Sequence, residues 1–190
     1  MATKKQNKSI WIFGYGSLLW KPGFSFQEKR VGYITGFSRR FYQGSPDHRG
    51  VPQDPGRVVT LIPEADAKCY GIAYQIPASE QESALLTLDY REKGGYEQTT
   101  HDFQPADGGD KIPDVLVYRA NEGNPFYLGP IPDADMVRQI LRCYGPSGRN
   151  DDYLLSLAKT LRSIGVQDEH VFQLEKLVIQ AQRAAFEDDE

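Results

Sequence analysis

The stretch Ile10-Trp11-Ile12-Phe13-Gly14-Tyr15-Gly16-Ser17-Leu18-Leu19 decides how the beginning of the chain folds. It starts with an apolar run that stops at glycines, a pattern that predicts a buried β-strand followed by a tight turn. Glycines allow positive φ and leave backbone N–H groups accessible. Successive accessible N–H groups can bind an anion or a developing oxyanion. A plain structural turn after a buried strand is the alternative interpretation.

Two familiar motifs that contain glycine turns do not fit this stretch. A dinucleotide-binding fingerprint needs a third glycine at the position of Leu19, and it needs a helix where Trp20-Lys21-Pro22-Gly23 follows. A nucleophile elbow needs glycines two positions before and after Ser17, and those positions hold Tyr15 and Leu19. We therefore expect neither motif here.

Short apolar and aromatic runs continue through the first half of the chain and predict further strands. The predicted strands cover residues 10–15, 30–43, 57–62, 68–75, 96–103 and 114–118. The second of these runs contains Gly36, which is consistent with a break into two strands.

Helical periodicity is concentrated in the second half. Ser79 and Glu82 match a capping box, which predicts that a helix begins there and buries Ala84, Leu85 and Leu88. Asp151 or Asp152 is the expected cap of a later helix. The later helices are predicted over residues 133–144, 153–164 and 169–186. Strands first and helices last favour an α+β fold over a strictly alternating α/β fold.

Length and charge limit the classes of protein that the chain can represent. It has 190 residues, and Lys+Arg 22 against Asp+Glu 26 gives a formal net charge of −4. We assign one domain to residues 10–186 and a flexible tail to residues 1–9. A nucleic-acid-binding protein would usually be basic, so we expect no nucleic-acid partner. Apolar runs are too short for a membrane span or a secretory signal, which predicts a cytoplasmic protein without a membrane partner.

The residue types that usually bind metals do not form a recognisable pattern. Cys69 and Cys143 lie far apart in the sequence, and three histidines do not complete a typical zinc pattern with them. We therefore expect no metal site.

The segment Leu88-Asp89-Tyr90-Arg91-Glu92-Lys93-Gly94-Gly95-Tyr96 closes the first predicted helix, and Gly94-Gly95 is typical of a helix end. One interpretation of Glu92 is a solvated helix end. The other is a carboxylate that lies in a cleft, where burial would raise its pKa from about 4.3 toward neutrality. A carboxyl group with such a pKa can both accept and donate a proton.

Two polar turns, residues 43–50 and residues 144–150, could also carry functional side chains. The first contains His48 and Arg49, and function is often located on loops with several hydrogen-bonding groups. Either turn could equally be an ordinary surface loop.

Motifs from residue 11 to about residue 176 resemble the ChaC family, which comprises the glutathione-specific γ-glutamylcyclotransferases. The matching motifs are Phe13-Gly14-Tyr15-Gly16-Ser17-Leu18, Gly32-Tyr33, Ser38-Arg39-Arg40-Phe41, Ser45-Pro46-Asp47-His48-Arg49-Gly50, Pro55-Gly56-Arg57-Val58-Val59-Thr60-Leu61, Gly71-Ile72-Ala73-Tyr74, Arg91-Glu92-Lys93-Gly94-Gly95-Tyr96, Tyr127-Leu128-Gly129 and Gly145-Pro146-Ser147-Gly148-Arg149-Asn150. The resemblance implies an α+β fold, a mixed β-barrel with flanking helices. It also implies that glutathione is cleaved to 5-oxoproline and cysteinylglycine without a cofactor.

The resemblance implies that Glu92 is the catalytic carboxylate and that the turn after the first strand holds the γ-glutamyl group. In this reaction the α-amine of the substrate attacks its own γ-carbonyl, so the protein needs no nucleophile. Glu92 would take the proton of the amine and return it to the departing nitrogen. The N–H groups of Gly16, Ser17 and Leu18 would bind either the oxyanion or the α-carboxylate, and the sequence does not separate these two roles.

Glutathione carries two carboxylates, so arginines are candidates for their recognition. Arg39, Arg40, Arg49 and Arg57 are such candidates, although each could equally belong to a structural ion pair. Tyr127 is a candidate hydrogen-bond donor. The substrate-binding residues we assign are Ile12, Phe13, Gly14, Tyr15, Gly16, Ser17, Leu18, Arg39, Arg57 and Tyr127.

Two other functions are consistent with the same residues. One is a cyclotransferase that acts on other γ-glutamyl amines or amino acids through the same Glu92. The other is a binding module for γ-glutamyl peptides that does not release 5-oxoproline. The sequence does not indicate an oligomeric state.

Overall fold

The structure, a computed structural model that describes residues 9–92 and 95–187, is built around a closed barrel of five strands in the order β1-β3-β2-β4-β5. The strands are β1 (Ile10–Gly14), β2 (Glu28–Ser45), β3 (Gly56–Ile76), β4 (Glu97–Pro105) and β5 (Ile112–Arg119). The helices are α1 (Gln81–Arg91), α2 (Asp133–Arg142), α3 (Asn150–Ser163) and α4 (Glu169–Glu187). Two short strands, β6 (Tyr144–Gly145) and β7 (Gly148–Arg149), pair between α2 and α3.

The barrel is mixed because its first strand has neighbours of both orientations. β1 pairs antiparallel with β3, from Ile10 opposite Ile76 to Gly14 opposite Ile72. It pairs parallel with β5 at Ile12 and Leu116, and this contact closes the barrel. The predicted α+β class and mixed barrel with flanking helices are therefore confirmed.

The hairpin of β2 and β3 contains fewer strands than the sequence predicts. Residues 57–62 and 68–75 belong to the single strand β3, and residues 30–43 lie within the single strand β2. Gly36 has a φ of 85° and lies at a register shift between Thr35 and Phe37, where the predicted break gives only an irregularity. β2 and β3 pair with each other both before and after this point, so each of them is one continuous strand.

The start of α1 also differs from the prediction. Ser79 lies within a 3-10 turn formed by Ala78–Glu80, and Glu80 is the residue before the helix. The turn is closed by the hydrogen bond from the Glu80 N–H to the Pro77 carbonyl, at 2.9 Å. Because an N-cap residue needs an extended backbone, this turn prevents the predicted capping box from forming.

The later helices lie close to their predicted positions, but α3 begins earlier than expected. Its cap is the extended residue Arg149, and Asp151 is buried within the first turn. There Asp151 accepts two hydrogen bonds from the Arg149 guanidinium, at 2.9 and 2.8 Å. The Asp151 side chain is therefore occupied by an ion pair, and neither predicted aspartate caps the helix.

One apolar core joins the barrel to the helices. Phe13, Phe41 and Phe103 from the strands are fully buried, as are Leu154 and Leu174 from α3 and α4. No helix in the described part of the chain is long and apolar enough to cross a membrane. The predicted tail, residues 1–9, lies outside the described residues except for Ser9.

Candidate active site

One cavity, with a volume of about 520 Å³, brings together residues from distant parts of the chain. Its walls come from segments 13–23, 43–49 and 146–153, from α1 and its end, from Tyr96, from two residues of β3 and from one residue of β5. The glycine turn, both polar turns and the predicted carboxylate turn therefore meet at this one place.

Glu92 lies at the wall of this cavity, at the point where α1 ends. Its backbone N–H donates to the Leu88 carbonyl at 2.8 Å, so the last turn of the helix fixes the position of the residue. Its own carbonyl accepts a hydrogen bond from the Tyr96 N–H at 3.4 Å. Lys93 and Gly94, which belong to the predicted helix-end motif, lie outside the described residues.

The carboxyl group of Glu92 has an unusual acidity. Burial raises its pKa to about 7, Arg91 opposes this shift, and Asp47 adds to it. Burial raises the pKa because removal from water destabilises the ionised carboxylate more than it destabilises the neutral acid. At neutral pH both protonation states of Glu92 are therefore well populated.

Two buried tyrosines, Tyr15 and Tyr153, and the half-buried Tyr96 lie near Glu92. Burial raises the pKa values of Tyr15, Tyr96 and Tyr153, and the charge of Glu92 adds to each shift. Their hydroxyl groups are therefore protonated at neutral pH. Tyr15 donates to the Tyr118 carbonyl at 2.8 Å, and the Tyr153 hydroxyl oxygen accepts from the Val59 N–H at 3.4 Å.

The glycine turn needs its glycines for close packing. A Cβ at Gly16 would lie 2.9 Å from the Tyr153 hydroxyl oxygen, and a Cβ at Gly14 would lie 2.8 Å from the Leu18 Cβ. Gly16 has a φ of −124°, and neither glycine is among the described residues with positive φ. The turn therefore uses the lack of a side chain at these glycines rather than their freedom to adopt positive φ.

Arg91 joins the glycine turn to the helix end that carries Glu92. Its guanidinium donates to the Ser17 hydroxyl at 3.0 Å and to the carbonyls of Lys21 and Pro22 at 2.9 and 2.8 Å. Two motifs that lie far apart in the sequence are thus held together by the residue next to Glu92.

Part of the predicted site lies at the cavity and part lies elsewhere. Glu92 and five residues of the first stretch line the cavity, namely Phe13, Tyr15, Gly16, Ser17 and Leu18. Ile12 is completely buried in the core, and Gly14 is buried beneath the turn. Tyr127 lies outside the lining, where it forms an isolated bridge with Gln43.

Arg39 and Arg57 also lie outside the cavity lining, and both are buried. Arg39 donates to the Tyr15 carbonyl at 2.7 Å, pairs with Asp168 at 2.5 Å and also bonds the Tyr70 carbonyl. Arg57 donates to Gln139 at 2.6 Å and to the carbonyls of Phe41 and Gly129 at 2.9 and 2.8 Å. The partners of both arginines therefore come from the protein, and this corresponds to the structural alternative.

Gln43, Tyr96 and Tyr153 are cavity residues that the sequence did not single out for a role. The Gln43 amide donates to the Asn124 side-chain oxygen at 3.1 Å, and the Asn124 amide donates to the Gly95 carbonyl at 2.7 Å. This chain of bonds links the end of β2 to the turn after Glu92. Two of these residues did stand in segments that the sequence marks. Gln43 begins the polar turn of residues 43–50, and Tyr96 ends the motif that contains Glu92.

The described residues contain no group of three or more histidine, cysteine, aspartate or glutamate side chains that could hold a metal ion. The cavity lining offers the Glu92 carboxyl group with a pKa near neutrality, several phenols, backbone N–H groups and the charged side chains of Lys21, Asp47, Arg49 and Arg91.

Similar proteins are known from several organisms. The chain is 45% identical over 168 residues to "Glutathione-specific gamma-glutamylcyclotransferase 1" of Homo sapiens, which covers 86% of this chain and 76% of that protein. It is 37% identical over 194 residues to "Glutathione-specific gamma-glutamylcyclotransferase" of Schizosaccharomyces pombe, which covers 92% of this chain and 95% of that protein.

Solved structures give the same result for the fold. The crystal structure of a γ-glutamyl cyclotransferase specific to glutathione from yeast matches with a TM-score of 0.85 and 27% identity, over 90% of this chain and 96% of that chain. The model of the family described as ChaC-like protein matches residues 10–181. Because this match spans nearly all of the sequence and agrees with the fold and the close relatives, the chain belongs to the ChaC-like protein family.

Proposed function

We propose that this chain cleaves glutathione to 5-oxoproline and cysteinylglycine. The observation that carries the proposal is Glu92, which lines the cavity beside the glycine turn with a pKa that burial raises to about 7. Family membership adds support, because several relatives are named glutathione-specific γ-glutamylcyclotransferases.

The reaction forms one C–N bond and breaks another. The α-amine nitrogen of the γ-glutamyl group bonds to the γ-carbonyl carbon and closes a five-membered ring. The bond from that carbon to the cysteine nitrogen then breaks. No atom changes its oxidation state, so the only other transfer is a proton from the attacking amine to the departing nitrogen.

Glu92 is suited to carry that proton. A peptide α-amine titrates near 8, and the pKa of Glu92 is raised by burial to about 7. Because one pKa unit corresponds to about 1.4 kcal/mol, transfer in either direction between these groups costs little. The ionised carboxylate accepts the proton of the amine, and the carboxylic acid then donates it to the leaving group.

The cavity supplies the positioning that an intramolecular reaction requires. Its volume of about 520 Å³ is suited to a small peptide. Holding the γ-glutamyl group in its folded conformation can contribute several kcal/mol to catalysis. The N–H groups of Ser17 and Leu18 lie in the first turn of a short 3-10 helix, where they have no acceptor within the helix. They bind the developing oxyanion or the α-carboxylate in this proposal.

Product analysis tests the proposal directly. The purified chain should convert glutathione to equal amounts of 5-oxoproline and cysteinylglycine, both measured by mass spectrometry. γ-Glutamyl-alanine, tested in parallel, should be a much poorer substrate. Equal turnover of both compounds would favour the broader cyclotransferase, and binding of glutathione without 5-oxoproline would favour a binding module.

The proposal includes a cytoplasmic location, without a nucleic-acid or membrane partner. It is supported by the sequence's acidic charge balance of −4 and its short apolar runs. Cell fractionation tests it, and the chain should then be recovered with the cytosolic fraction.

A further inference from the structure

Two polar turns form one wall of the cavity, residues 45–50 after β2 and residues 144–149 between α2 and α3. They are packed tightly, because a Cβ at Gly145 would lie 2.3 Å from the His48 carbonyl oxygen. The Ser147 N–H donates to that same carbonyl at 2.9 Å, and the side chains of His48 and Ser147 are 3.1 Å apart. The two turns therefore act as one structural unit.

Arg49 lines the cavity from this unit, and several contacts fix it there. Its backbone N–H donates to the Ser45 hydroxyl at 3.0 Å. Its guanidinium donates to the Arg149 carbonyl at 2.9 Å, and its central carbon lies 5.8 Å from the centre of the Tyr153 ring. The groups that position the guanidinium are thus neutral.

This environment distinguishes Arg49 from most other arginines of the chain. Seven others have a carboxylate oxygen within 4.0 Å, namely Arg30, Arg39, Arg40, Arg138, Arg142, Arg149 and Arg162. Among the described residues, Arg49 has no such partner. A guanidinium also has more N–H donors than the one bond to Arg149 uses. Arg49 therefore keeps both charge and donors for a ligand.

The other cations at the cavity are less suited to this role. Arg91 is bonded to two backbone carbonyls and to the Ser17 hydroxyl. Lys21 is exposed, and its ammonium is a flexible point charge without the planar fork of a guanidinium. Arg49 is partly buried and fixed, so binding a ligand would order it little further.

We propose that Arg49 binds a carboxylate of the γ-glutamyl peptide and selects for peptides in which this carboxylate is free. The inference rests on the proposed function, and it adds a specificity residue to the same site. Guanidinium and carboxylate match each other geometrically and form paired, charge-assisted hydrogen bonds. Tyr153 lies close to both Arg49 and Glu92, since Glu92 raises and Arg49 lowers its pKa, while burial is the main cause of its shift. A ligand held by Arg49 would thus lie near the proton shuttle.

A comparison of two protein forms with three peptides tests this inference. The forms are the unmodified chain and Arg49→Gln. The peptides are glutathione, its amide at the glycine carboxylate and its amide at the α-carboxylate of the γ-glutamyl group. The readout is kcat/KM for release of the cysteinyl dipeptide, measured by mass spectrometry.

We expect Arg49→Gln to lower kcat/KM for glutathione by about 10- to 100-fold. With the unmodified chain, kcat/KM for one of the two amides should be lower than kcat/KM for glutathione by a similar factor. On that amide Arg49→Gln should cause no further loss, because the contact is already absent. The amide that behaves in this way identifies which carboxylate Arg49 holds, and Arg49→Lys should recover part of the loss.

Arg138→Gln, on the exposed surface of α2, is the matched control and should leave all three values unchanged. The inference is contradicted if Arg49→Gln changes kcat/KM by the same factor for all three peptides, or changes none of them. Failure of the proposed function is a separate result, namely no 5-oxoproline from glutathione with the unmodified chain. Calorimetric binding of the same peptides would then still measure the contact with Arg49.

Discussion

Glu92 combines two properties that a proton carrier needs, a pKa near neutrality and a fixed position. Burial raises its pKa to about 7, and the end of α1 holds its backbone through the bond to Leu88. Arg91 next to it ties the same helix end to Ser17 in the glycine turn. The acid–base group and the turn that is proposed to hold the substrate are therefore parts of one rigid arrangement.

The pH dependence of turnover should report the ionisation of Glu92. The ionised form accepts the proton of the amine, so kcat/KM for glutathione should rise as the pH increases through about 7. It should level off above the pKa of the substrate amine, near 8, because the neutral amine is the form that attacks and it still carries the proton that Glu92 passes to the leaving group. Initial rates of 5-oxoproline release from about pH 5 to about pH 10 measure this profile. An acidic limb near the ordinary glutamate pKa would contradict the assignment.

Substitution of Gly16 tests whether the turn holds the substrate through its backbone. A Cβ there would lie 2.9 Å from the Tyr153 hydroxyl oxygen and 3.0 Å from the Val59 Cγ2. Gly16→Val should therefore shift the turn and lower kcat/KM by about a hundredfold or more. The controls are Gly16→Ala and the double variant Gly16→Ala/Tyr153→Phe. The double variant lacks the Tyr153 hydroxyl oxygen, which makes the closest contact with the new Cβ, so it should bind glutathione more tightly than Gly16→Ala does. Normal glutathione binding by Gly16→Val would show that the turn has only a structural role.

Local motifs made some of the site residues predictable, and tertiary contacts decided the others. Glu92 and the glycine turn stand in recognisable segments, so their sequence neighbours indicate what they do. Arg39 and Arg57 are arginines in strands, and the sequence does not show whether their guanidinium groups have protein partners. Only the three-dimensional arrangement brings Asp168 to Arg39 and Gln139 to Arg57.

At the scale of secondary-structure elements, α4 is held against β2 by two polar contacts. The His170 ring nitrogen Nε2 accepts a hydrogen bond from the Phe41 N–H at 3.1 Å. Asp168, just before the helix, pairs with the buried Arg39 at 2.5 Å. Because Arg39 also bonds the Tyr15 carbonyl at 2.7 Å, these contacts connect α4 with the strand end that leads into the glycine turn.

The contact between His170 and Phe41 should make stability depend on pH. Burial is the main cause that lowers the His170 pKa to about 4, with Arg40 adding to it. Between pH 4 and pH 6.5 the unfolded chain binds a proton at His170 more readily than the folded chain does, because the pKa is lower in the fold. The free energy of unfolding is therefore at its full value above about pH 6.5 and falls as the pH decreases toward 4. The loss should reach about 3 kcal/mol.

Chemical unfolding of the native chain and of His170→Gln at several pH values measures this effect. A glutamine can still accept a hydrogen bond but does not titrate, so the variant should lose less stability between about pH 6.5 and about pH 4. His48→Gln, in a partly exposed residue, is the control and should keep the dependence of the native chain. Equal slopes for the native chain and for His170→Gln would contradict this account.

Element positions were predictable where the local pattern is strong. The apolar periodicity located the last three helices, and β-rich composition located the strands. The continuity of β2 and β3 was not predictable, because Gly36 indicated a break in the first and residues 63–67 lay between two predicted strands in the second, while the pairing that continues the ladder is long-range. The 3-10 turn closed by Pro77 and Glu80 likewise overrides the local capping pattern at Ser79.

At the scale of the whole molecule, the cavity differs in charge from the chain. The chain has a formal net charge of −4, while the cavity lining contains Lys21, Arg49 and Arg91 against Asp47 and Glu92. A local excess of positive charge favours an anionic peptide in a protein that is acidic overall. The closed barrel supports this arrangement by holding the ends of β1 and β2 beside the helices that complete the cavity.

Glu92→Gln separates catalysis from folding. A raised pKa means that the ionised carboxylate destabilises the folded state, and this cost grows as the pH rises from the ordinary value of 4.5 to about 7. The neutral amide avoids that cost, so the variant should be at least as stable as the native chain at pH 8. Thermal unfolding at this pH therefore checks that any loss of activity comes from the missing carboxyl group.

The most direct test of the account is the rate at which Glu92→Gln releases 5-oxoproline from glutathione. We expect a loss of at least about a hundredfold in kcat, because the variant keeps the shape of the side chain and lacks the group that carries the proton. Glu82→Gln, on the exposed side of α1, should keep the native rate. Turnover by Glu92→Gln within about tenfold of the native chain would contradict the role of Glu92 as proton carrier.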